Sequence, residues 1–132
     1  MKREQYDDYV NKFNNRDYDG FFDFYGENPR MSFFGVEITN RTQLKEFYGF
    51  LHTYVKESIT VLKFASSDDF LAIEAIVRVE GIKTLDKKML EDNGYGGFFP
   101  IVKGQVQEMK QYIHYHLEQG KFLSVGCAIP LD

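Results

Sequence analysis

The spacing of apolar residues changes near residue 55, and this change limits the chain to a small set of folds. Before that point apolar residues recur every three or four positions, which is the period of one face of an amphipathic helix. From Ile59 onward they alternate with polar residues, which is the period of a strand with one buried face. A chain of 132 residues has the size of one ordinary domain. We therefore predict one α+β domain over residues 1–132, in which three N-terminal helices cover one face of a curved antiparallel sheet.

Three helices are expected in the first half of the chain. The first has one apolar face, formed by Tyr6, Tyr9, Val10 and Phe13. Asp17 is placed to cap a second, short helix that includes Tyr25, and the turn residues at 26–29 are expected to end it. Asn40 caps a third helix. The buried face of this third helix is formed by Leu44, Phe47, Tyr48, Leu51 and Val55, with His52 on the same side.

The rest of the chain is predicted to form strands joined by turns. The predicted strands are residues 30–34, a short strand with its turn over 35–39, and then 59–65, 70–82, 105–118 and 121–129. The last four form two antiparallel hairpins. Residues 83–104, which are rich in glycine, are predicted to form a long irregular loop.

The aromatic content is high, at 17%, with thirteen Phe, nine Tyr and no Trp. Two interpretations remain open, because either the core is rich in aromatic rings or a cavity is lined with them.

Charge and cysteine content exclude several classes of protein. A net charge of −4 argues against a nucleic-acid partner, since affinity for phosphates comes largely from Lys and Arg. The charged N-terminal residues lead into no apolar stretch, and no segment approaches the ~20 apolar residues of a membrane span, so we expect a cytoplasmic protein with no membrane partner. Cys127 is the single cysteine, which leaves no internal disulfide and no cysteine spacing of a zinc site. No metal and no cofactor are expected.

Three residue strings resemble, in their order and spacing, those of the nuclear transport factor 2-like superfamily, in its SnoaL-like and ketosteroid isomerase-like branch. They are NNRDYD at residues 14–19, TNRTQLKEFY at 39–48 and QGKF at 119–122. The resemblance covers nearly the whole chain. It implies a cystatin-like half-cone, in which the sheet curls around the helices, and a homodimer formed through the outer face of the sheet.

The resemblance also assigns roles to three tyrosines. Some ketosteroid isomerases carry a hydrogen-bonded tyrosine network, and its positions correspond to Tyr9, Tyr25 and Tyr48. By that similarity Tyr9 donates a hydrogen bond to a developing oxyanion, and the other two tyrosines support it. The aspartate base of those isomerases corresponds to Ser32, and their second acid donor corresponds to Ile113. Both positions are therefore expected beside the substrate, but the base has to lie elsewhere.

His52 is the predicted base, because an imidazole accepts and gives protons near neutral pH without strong tuning. With Tyr9 and Tyr48 it forms the expected catalytic set, lining one cavity. The alternative is that His52 is a satisfied buried histidine and that the tyrosines are ordinary core residues.

Strand alternation assigns the remaining contacts. Within residues 105–118 the odd-numbered positions are predicted to face the helices, which places Gln111, Ile113 and Tyr115 beside the substrate, together with Val125. His114 and His116 then lie on the outer face, although a one-residue bulge would turn them inward. Phe98 and Phe99 are predicted substrate contacts that form either a lid over the cavity or an ordinary packed loop.

These patterns predict a cofactor-independent lyase, isomerase or cyclase. It would act by proton transfer on a small apolar compound, aromatic or polycyclic and oxygenated. One alternative is a non-catalytic module for ligand binding or dimerisation, and another is a trafficking adaptor, since one fold supports many functions.

Overall fold

Four helices and six strands lie within residues 1–130, the part of the chain that the computed structural model describes. The helices are α1 (Arg3–Asn14), α2 (Tyr18–Phe22), α3 (Arg41–Tyr54) and α4 (Lys87–Asp92). The strands are β1 (Tyr25–Phe33), β2 (Val36–Ile38), β3 (Val55–Ser67), β4 (Phe70–Gly81), β5 (Val106–Glu118) and β6 (Lys121–Ala128). None of the described helices combines the length and apolarity that a membrane crossing requires.

The helices begin where side chains cap their first turns. Asn40 accepts a hydrogen bond from the backbone N–H of Gln43 at 2.9 Å, and Asp17 accepts one from Gly20 at 3.0 Å. The predicted apolar faces of α1 and α3 are buried, which confirms both helices. Val55, predicted as the end of α3, is instead the first residue of β3.

The second helix is shorter than predicted. It ends at Phe22, and Tyr25 already belongs to β1. Residues 26–29, predicted as a turn, lie inside β1, where the pairing with β6 shifts register between Tyr25 and Arg30. Pro29 lacks a backbone donor, and such residues are tolerated in a strand at irregular positions like this one.

The six strands form one open mixed sheet in the order β2-β1-β6-β5-β4-β3. Neighbouring strands are antiparallel except β1 and β6, which run parallel. The α+β prediction is confirmed, with this one parallel pair as the departure from an antiparallel sheet. Nothing in the local pattern of either strand indicates the pairing, because they are separated by most of the chain.

The glycine-rich region 83–104 is more regular than predicted. It contains α4, whose first turn is capped by Asp86 through a 2.8 Å hydrogen bond from the Met89 N–H. Leu85 and Ile101 form a β-bridge and are fully buried. The region is therefore anchored to the core by apolar residues.

Buried and more exposed residues alternate along β4 and β5 as predicted. The odd-numbered residues of β4 from Leu71 to Val79 are buried. On β5 the buried side chains are Gln111, Ile113, Tyr115 and Leu117. His114 and His116 are exposed on the outer face, on either side of Phe70, with ring centroids 5.1 Å from it in both cases. No bulge inverts this part of the strand.

Candidate functional site

A cavity lies between the inner face of the sheet and helices α1 and α3. The space that the centre of a water molecule can reach inside it is about 70 Å³. Most of its wall is apolar, and includes Phe13, Phe33, Phe47, Leu51, Ile59, Val77 and Val79. The polar side chains in the wall are Tyr9, Tyr25, Tyr48, Glu57, Gln111, Tyr115 and Cys127. An apolar wall with a few polar groups is the usual composition of a small-molecule site.

Glu57 places a carboxylate in this wall because of its position on β3. Val55, Glu57 and Ile59 share the inner face of the strand, and the two apolar residues are buried. The Glu57 side chain is 13% exposed. A carboxylate in such a wall is costly unless it is hydrogen-bonded, so its partners determine whether it can remain there.

Asn14, the last residue of α1, and Arg16, just after the helix, hold this part of β3 in place. Asn14 accepts a hydrogen bond from the Ile59 N–H at 2.7 Å and donates one to the Ile59 carbonyl at 3.0 Å. Arg16 donates to the Val55 carbonyl at 2.7 Å and to the His52 carbonyl at 3.2 Å. Because β3 is an edge strand, these contacts satisfy backbone groups that lack a neighbouring strand.

His52 is the hydrogen-bond partner of Glu57. Its Nε2 lies 2.7 Å from Glu57 Oε1, and its Nδ1 lies 3.0 Å from the hydroxyl of Tyr18. The ring is packed among Phe13, Tyr18 and Tyr48. His52 is not part of the cavity wall, so its imidazole reaches the cavity through Glu57.

Two pairs of tyrosine hydroxyls lie beside the cavity. The oxygens of Tyr9 and Tyr25 are 2.6 Å apart, and those of Tyr6 and Tyr115 are 2.7 Å apart. Burial raises the pKa of both Tyr9 and Tyr25, and the hydrogen bond between the two hydroxyls opposes that rise at Tyr25. Within the pair one proton lies between the two oxygens, and the second remains available to a ligand.

Burial also raises the pKa of Tyr48 and Cys127 in the wall. The pKa of Tyr48 is raised by burial and then by the negative charge that Tyr25 and Glu57 can carry. Burial, followed by the charge of Glu57, raises the pKa of the Cys127 thiol to about 11. A thiol of this kind is protonated at neutral pH and is a poor nucleophile.

Gln111 presents a neutral amide to the cavity. The residue is 6% exposed, and it lies in the wall on the inner face of β5. Its side chain makes no hydrogen bond with residues 1–130, which leaves a donor and an acceptor for a ligand or a trapped water.

The segment carrying Phe98 and Phe99 closes one side of the cavity. Both rings pack against Phe34, at 5.7 and 5.3 Å between centroids. The segment comes this close because Gly97 faces Gly35: a Cβ on Gly97 would lie 2.8 Å from the Phe34 carbonyl oxygen. Gly35 itself has a φ of 75°, which glycine adopts without strain.

The structure brings most of the predicted site residues together. Those that line the cavity are Tyr9, Tyr25, Tyr48, Phe98, Phe99, Gln111, Ile113, Tyr115 and Val125. Ser32 does not, because Met31 and Phe33 take the inner positions of β1 and turn Ser32 to the exposed face. His52 is the second correction, since it lies behind the wall rather than in it.

Glu57 is the site residue that sequence analysis missed. The sequence analysis extended α3 to Val55 and began the next strand at Ile59, so Glu57 was assigned neither to the helix nor to the strand. Strand alternation applied from Val55 would have found it, as an acidic residue between two buried apolar ones.

Among residues 1–130 no three His, Cys, Asp or Glu side chains are grouped in a way that could hold a metal ion. The polar groups that the cavity wall presents to a ligand are a carboxylate, an amide, a thiol and several phenols.

No protein-family model and no curated protein matches the sequence. Solved structures do match. A candidate polyketide cyclase from Silicibacter sp. TM1040 superposes with a TM-score of 0.77 at 17% identity, over 97% of this chain and 88% of that one. A nuclear transport factor 2-like protein of unknown function from Burkholderia pseudomallei K96243 gives a TM-score of 0.73 at 13% identity, over 98% and 92% of the two chains. A protein with a ketosteroid isomerase-like fold from Catenulispora acidiphila DSM 44928, solved with trimethylamine, gives 0.72 at 10% identity, over 99% and 88%.

Proposed function

We propose that this chain, which has the nuclear transport factor 2-like fold, is a cofactor-independent lyase, isomerase or cyclase acting by proton transfer on a small oxygenated compound. The observation that carries the proposal is the carboxylate of Glu57 in a cavity walled mainly by rings. A carboxylate held beside a bound ligand is a common general base for proton transfer.

The polar groups of the cavity suit the removal of a proton from a carbon next to a carbonyl. Glu57 accepts the proton, and the electron pair of the C–H bond moves toward the carbonyl oxygen. The free hydroxyl of the Tyr9–Tyr25 pair donates a hydrogen bond to that oxygen as it gains negative charge. Return of the proton to another carbon gives an isomerase, loss of a leaving group gives a lyase, and attack on a second carbonyl gives a cyclase.

The size of the cavity limits the substrate. A closed cavity of about 150 Å³ accommodates benzene, and the space here is about half of that. A one-ring substrate therefore requires the wall to widen. Phe34, Phe98 and Phe99 are the wall residues outside the helices and strands, so we expect the widening there, and a larger one for a polycyclic substrate.

The proposal is tested by hydrogen exchange, which needs no knowledge of the natural substrate. Acetophenone, 2-indanone and 2-tetralone are incubated with the protein in D₂O, and loss of the protons next to the carbonyl is followed by NMR. We expect exchange above the buffer rate, and a ~100- to 10,000-fold loss in Glu57→Gln. Glu37→Gln, which changes an exposed carboxylate on β2, is the matched control. Equal rates for the wild type and Glu57→Gln would show that Glu57 is not the base.

A second candidate function is the binding of a small organic cation, which is a sharper form of the non-catalytic alternative. Aromatic faces around a carboxylate are the groups that recognise methylated ammonium ions. The small volume suits such a ligand, and the Catenulispora acidiphila protein of the same fold was solved with trimethylamine.

Calorimetric titration separates the two functions. If the cavity is a cation site, tetramethylammonium binds, the neutral compound of similar shape tert-butanol does not, and Glu57→Gln weakens binding by at least about tenfold. Binding of tetramethylammonium without exchange of any ketone would favour this function over proton transfer. Absence of binding would exclude it.

We also propose that the protein forms a homodimer through the outer face of the sheet. Ala65, Ala72 and Gly126 lie in one row across the outer face of the sheet, with His114 of β5 between Ala72 and Gly126, and all four residues line a groove there. Small residues in such a row let a second sheet approach closely. Light scattering should give twice the monomer mass of 15.5 kDa, and Ala72→Arg should give the monomer. A monomeric wild type would contradict this assembly.

A further inference from the structure

Tyr18, His52 and Glu57 form a continuous chain of hydrogen bonds that ends at the cavity. Its two links are 3.0 Å, from the Tyr18 hydroxyl to His52 Nδ1, and 2.7 Å, from His52 Nε2 to Glu57 Oε1. The three residues come from α2, α3 and β3, so the chain depends on the packing of three separate elements. Only Glu57 of the three belongs to the cavity wall.

The partners of the imidazole select one tautomer of the neutral ring. A carboxylate has no proton to donate, so Nε2, the nitrogen that faces Glu57, carries the hydrogen of that tautomer. Its Nδ1 then has the lone pair and accepts from the Tyr18 hydroxyl. In other histidine sites, too, the partner of one ring nitrogen determines which nitrogen carries the proton.

The imidazole of His52 is shielded from solvent. Its side chain is 2% exposed, and the rings of Phe13 and Tyr48 pack against it, with 5.8 and 5.3 Å between centroids. The charged or titratable groups that face it are Tyr18 from α2, Tyr48 from α3 and Glu57 from β3, with the Arg16 guanidinium on its backbone carbonyl.

We propose that Tyr18 and His52 are positioning residues that hold Glu57 Oε1, so that Oε2 is the oxygen that takes the substrate proton. This inference rests on the role of Glu57 as the base. Oε1 is occupied by the imidazole N–H, whereas Oε2 has no hydrogen-bond partner among residues 1–130. When Oε2 gains the proton, the C–H bond of the substrate breaks and the O–H bond forms, while His52 keeps its own proton throughout.

The hydrogen-bond chain from Tyr18 to Glu57 also affects how the exchange rate depends on pH. The imidazole N–H stabilises the ionised form of Glu57, and Tyr18 maintains that donor by holding the ring tautomer. Loss of either residue therefore moves the rise of the exchange rate to higher pH. A role limited to packing would leave the position of that rise unchanged.

The experiment compares Tyr18→Phe, His52→Gln and His52→Leu with the control Tyr54→Phe, which removes the hydroxyl of a half-buried tyrosine outside the cavity. Nitrogen NMR of the His52 ring should show the Nε2–H tautomer in the wild type and a mixture of tautomers in Tyr18→Phe. For exchange of 2-indanone, His52→Leu should lower kcat by ~10- to 100-fold with little change in KM, and shift the pH profile upward. His52→Gln, whose amide can donate to Oε1, should recover part of the rate.

The outcomes separate this inference from the proposed function. A His52 ring that is mainly the Nδ1–H tautomer in the wild type, or that does not respond to Tyr18→Phe, would overturn the positioning chain even if Glu57 is the base. An exchange rate that is unaffected by Glu57→Gln would contradict the proposed function, whereas the tautomer measurement would still decide the hydrogen-bond chain. Unchanged pH profiles in Tyr18→Phe and His52→Leu would also overturn the inference.

Discussion

At the scale of single residues, the Tyr9 and Tyr25 hydroxyls form one donor unit. Their oxygens are 2.6 Å apart, so one phenol supports the other, and only one proton is free to reach a ligand. Both phenols are kept neutral by burial, which raises the pKa of each. A neutral donor in a cavity of low dielectric stabilises a developing oxyanion more strongly than water does.

We therefore predict that Tyr9→Phe and Tyr25→Phe have non-additive effects. Each substitution should lower the exchange rate of 2-indanone by up to ~100-fold, and the double variant should be little slower than the slower single variant. Exchange rates of the four proteins provide the measurement. Tyr6→Phe, which breaks the other buried hydroxyl pair by a change at a residue outside the cavity wall, controls for loss of stability. Effects that multiply would mean that the two hydroxyls act independently.

At the scale of elements, edge strand β3 carries the residue that matters most to the site. It follows α3 without a loop, and it lacks a neighbouring strand on one side. The side chain of Asn14 takes the place of that neighbour at Ile59, two residues from Glu57. The helix that lines the cavity is thus linked directly to the strand that supplies the carboxylate.

Asn14→Ala should therefore be destabilising. It leaves the N–H and the carbonyl of Ile59 without their partner, which costs ~1–3 kcal/mol for a buried backbone group. Urea denaturation measures the loss. Asn15→Ala is the matched control, because Asn15 is exposed and bonds only within its own helix end, to the Asn11 carbonyl. Equal stability of the two variants would show that water replaces Asn14 at the strand edge.

At the scale of the whole molecule, the core contains several phenols whose ionisation is disfavoured by burial in the folded protein. The tyrosines concerned are Tyr6, Tyr9, Tyr25, Tyr48 and Tyr115. Burial raises the pKa of each of them. In the unfolded chain the same phenols lose their protons near their ordinary value of ~10.

This difference predicts alkaline unfolding. Because the buried phenols keep their protons in the folded state and lose them in the unfolded state, they lower the free energy of unfolding as the pH rises above about 10 and leave it unaffected well below that pH. The slope is about 1.4 kcal/mol per pH unit for each buried phenol. Urea denaturation between pH 7 and 11 measures it, with absorbance at 295 nm reporting the tyrosinates.

A pair of variants assigns the slope to the buried phenols. Tyr25→Phe should reduce the slope by the contribution of one proton. Tyr54→Phe, which changes a half-buried tyrosine, should alter the slope less. A free energy of unfolding that stays constant to pH 11 would contradict the prediction.

Several elements could be predicted from the sequence because their signals are local. The apolar faces of α1 and α3, and the alternation on β4 and β5, are repeated over many residues, so they survive errors at individual positions. The aromatic members of the cavity wall follow from the same periods. Tyr9, Tyr48 and Gln111, which these periods turn toward the inside, lie in the cavity wall.

The features that only the tertiary structure decided depend on contacts between distant or abruptly joined segments. The parallel pairing of β1 with β6 joins opposite ends of the chain, and the direct passage from α3 to β3 leaves no loop residues to mark it. Glu57 lies just after that passage, where neither the helical nor the strand period is long enough to identify it. His52 follows a clear helical period, but its partners come from α2 and β3. The sequence therefore determines which residues are buried, whereas the packing of elements determines which polar groups among them meet, because a hydrogen bond depends on ångström-scale positions that periodicity does not contain.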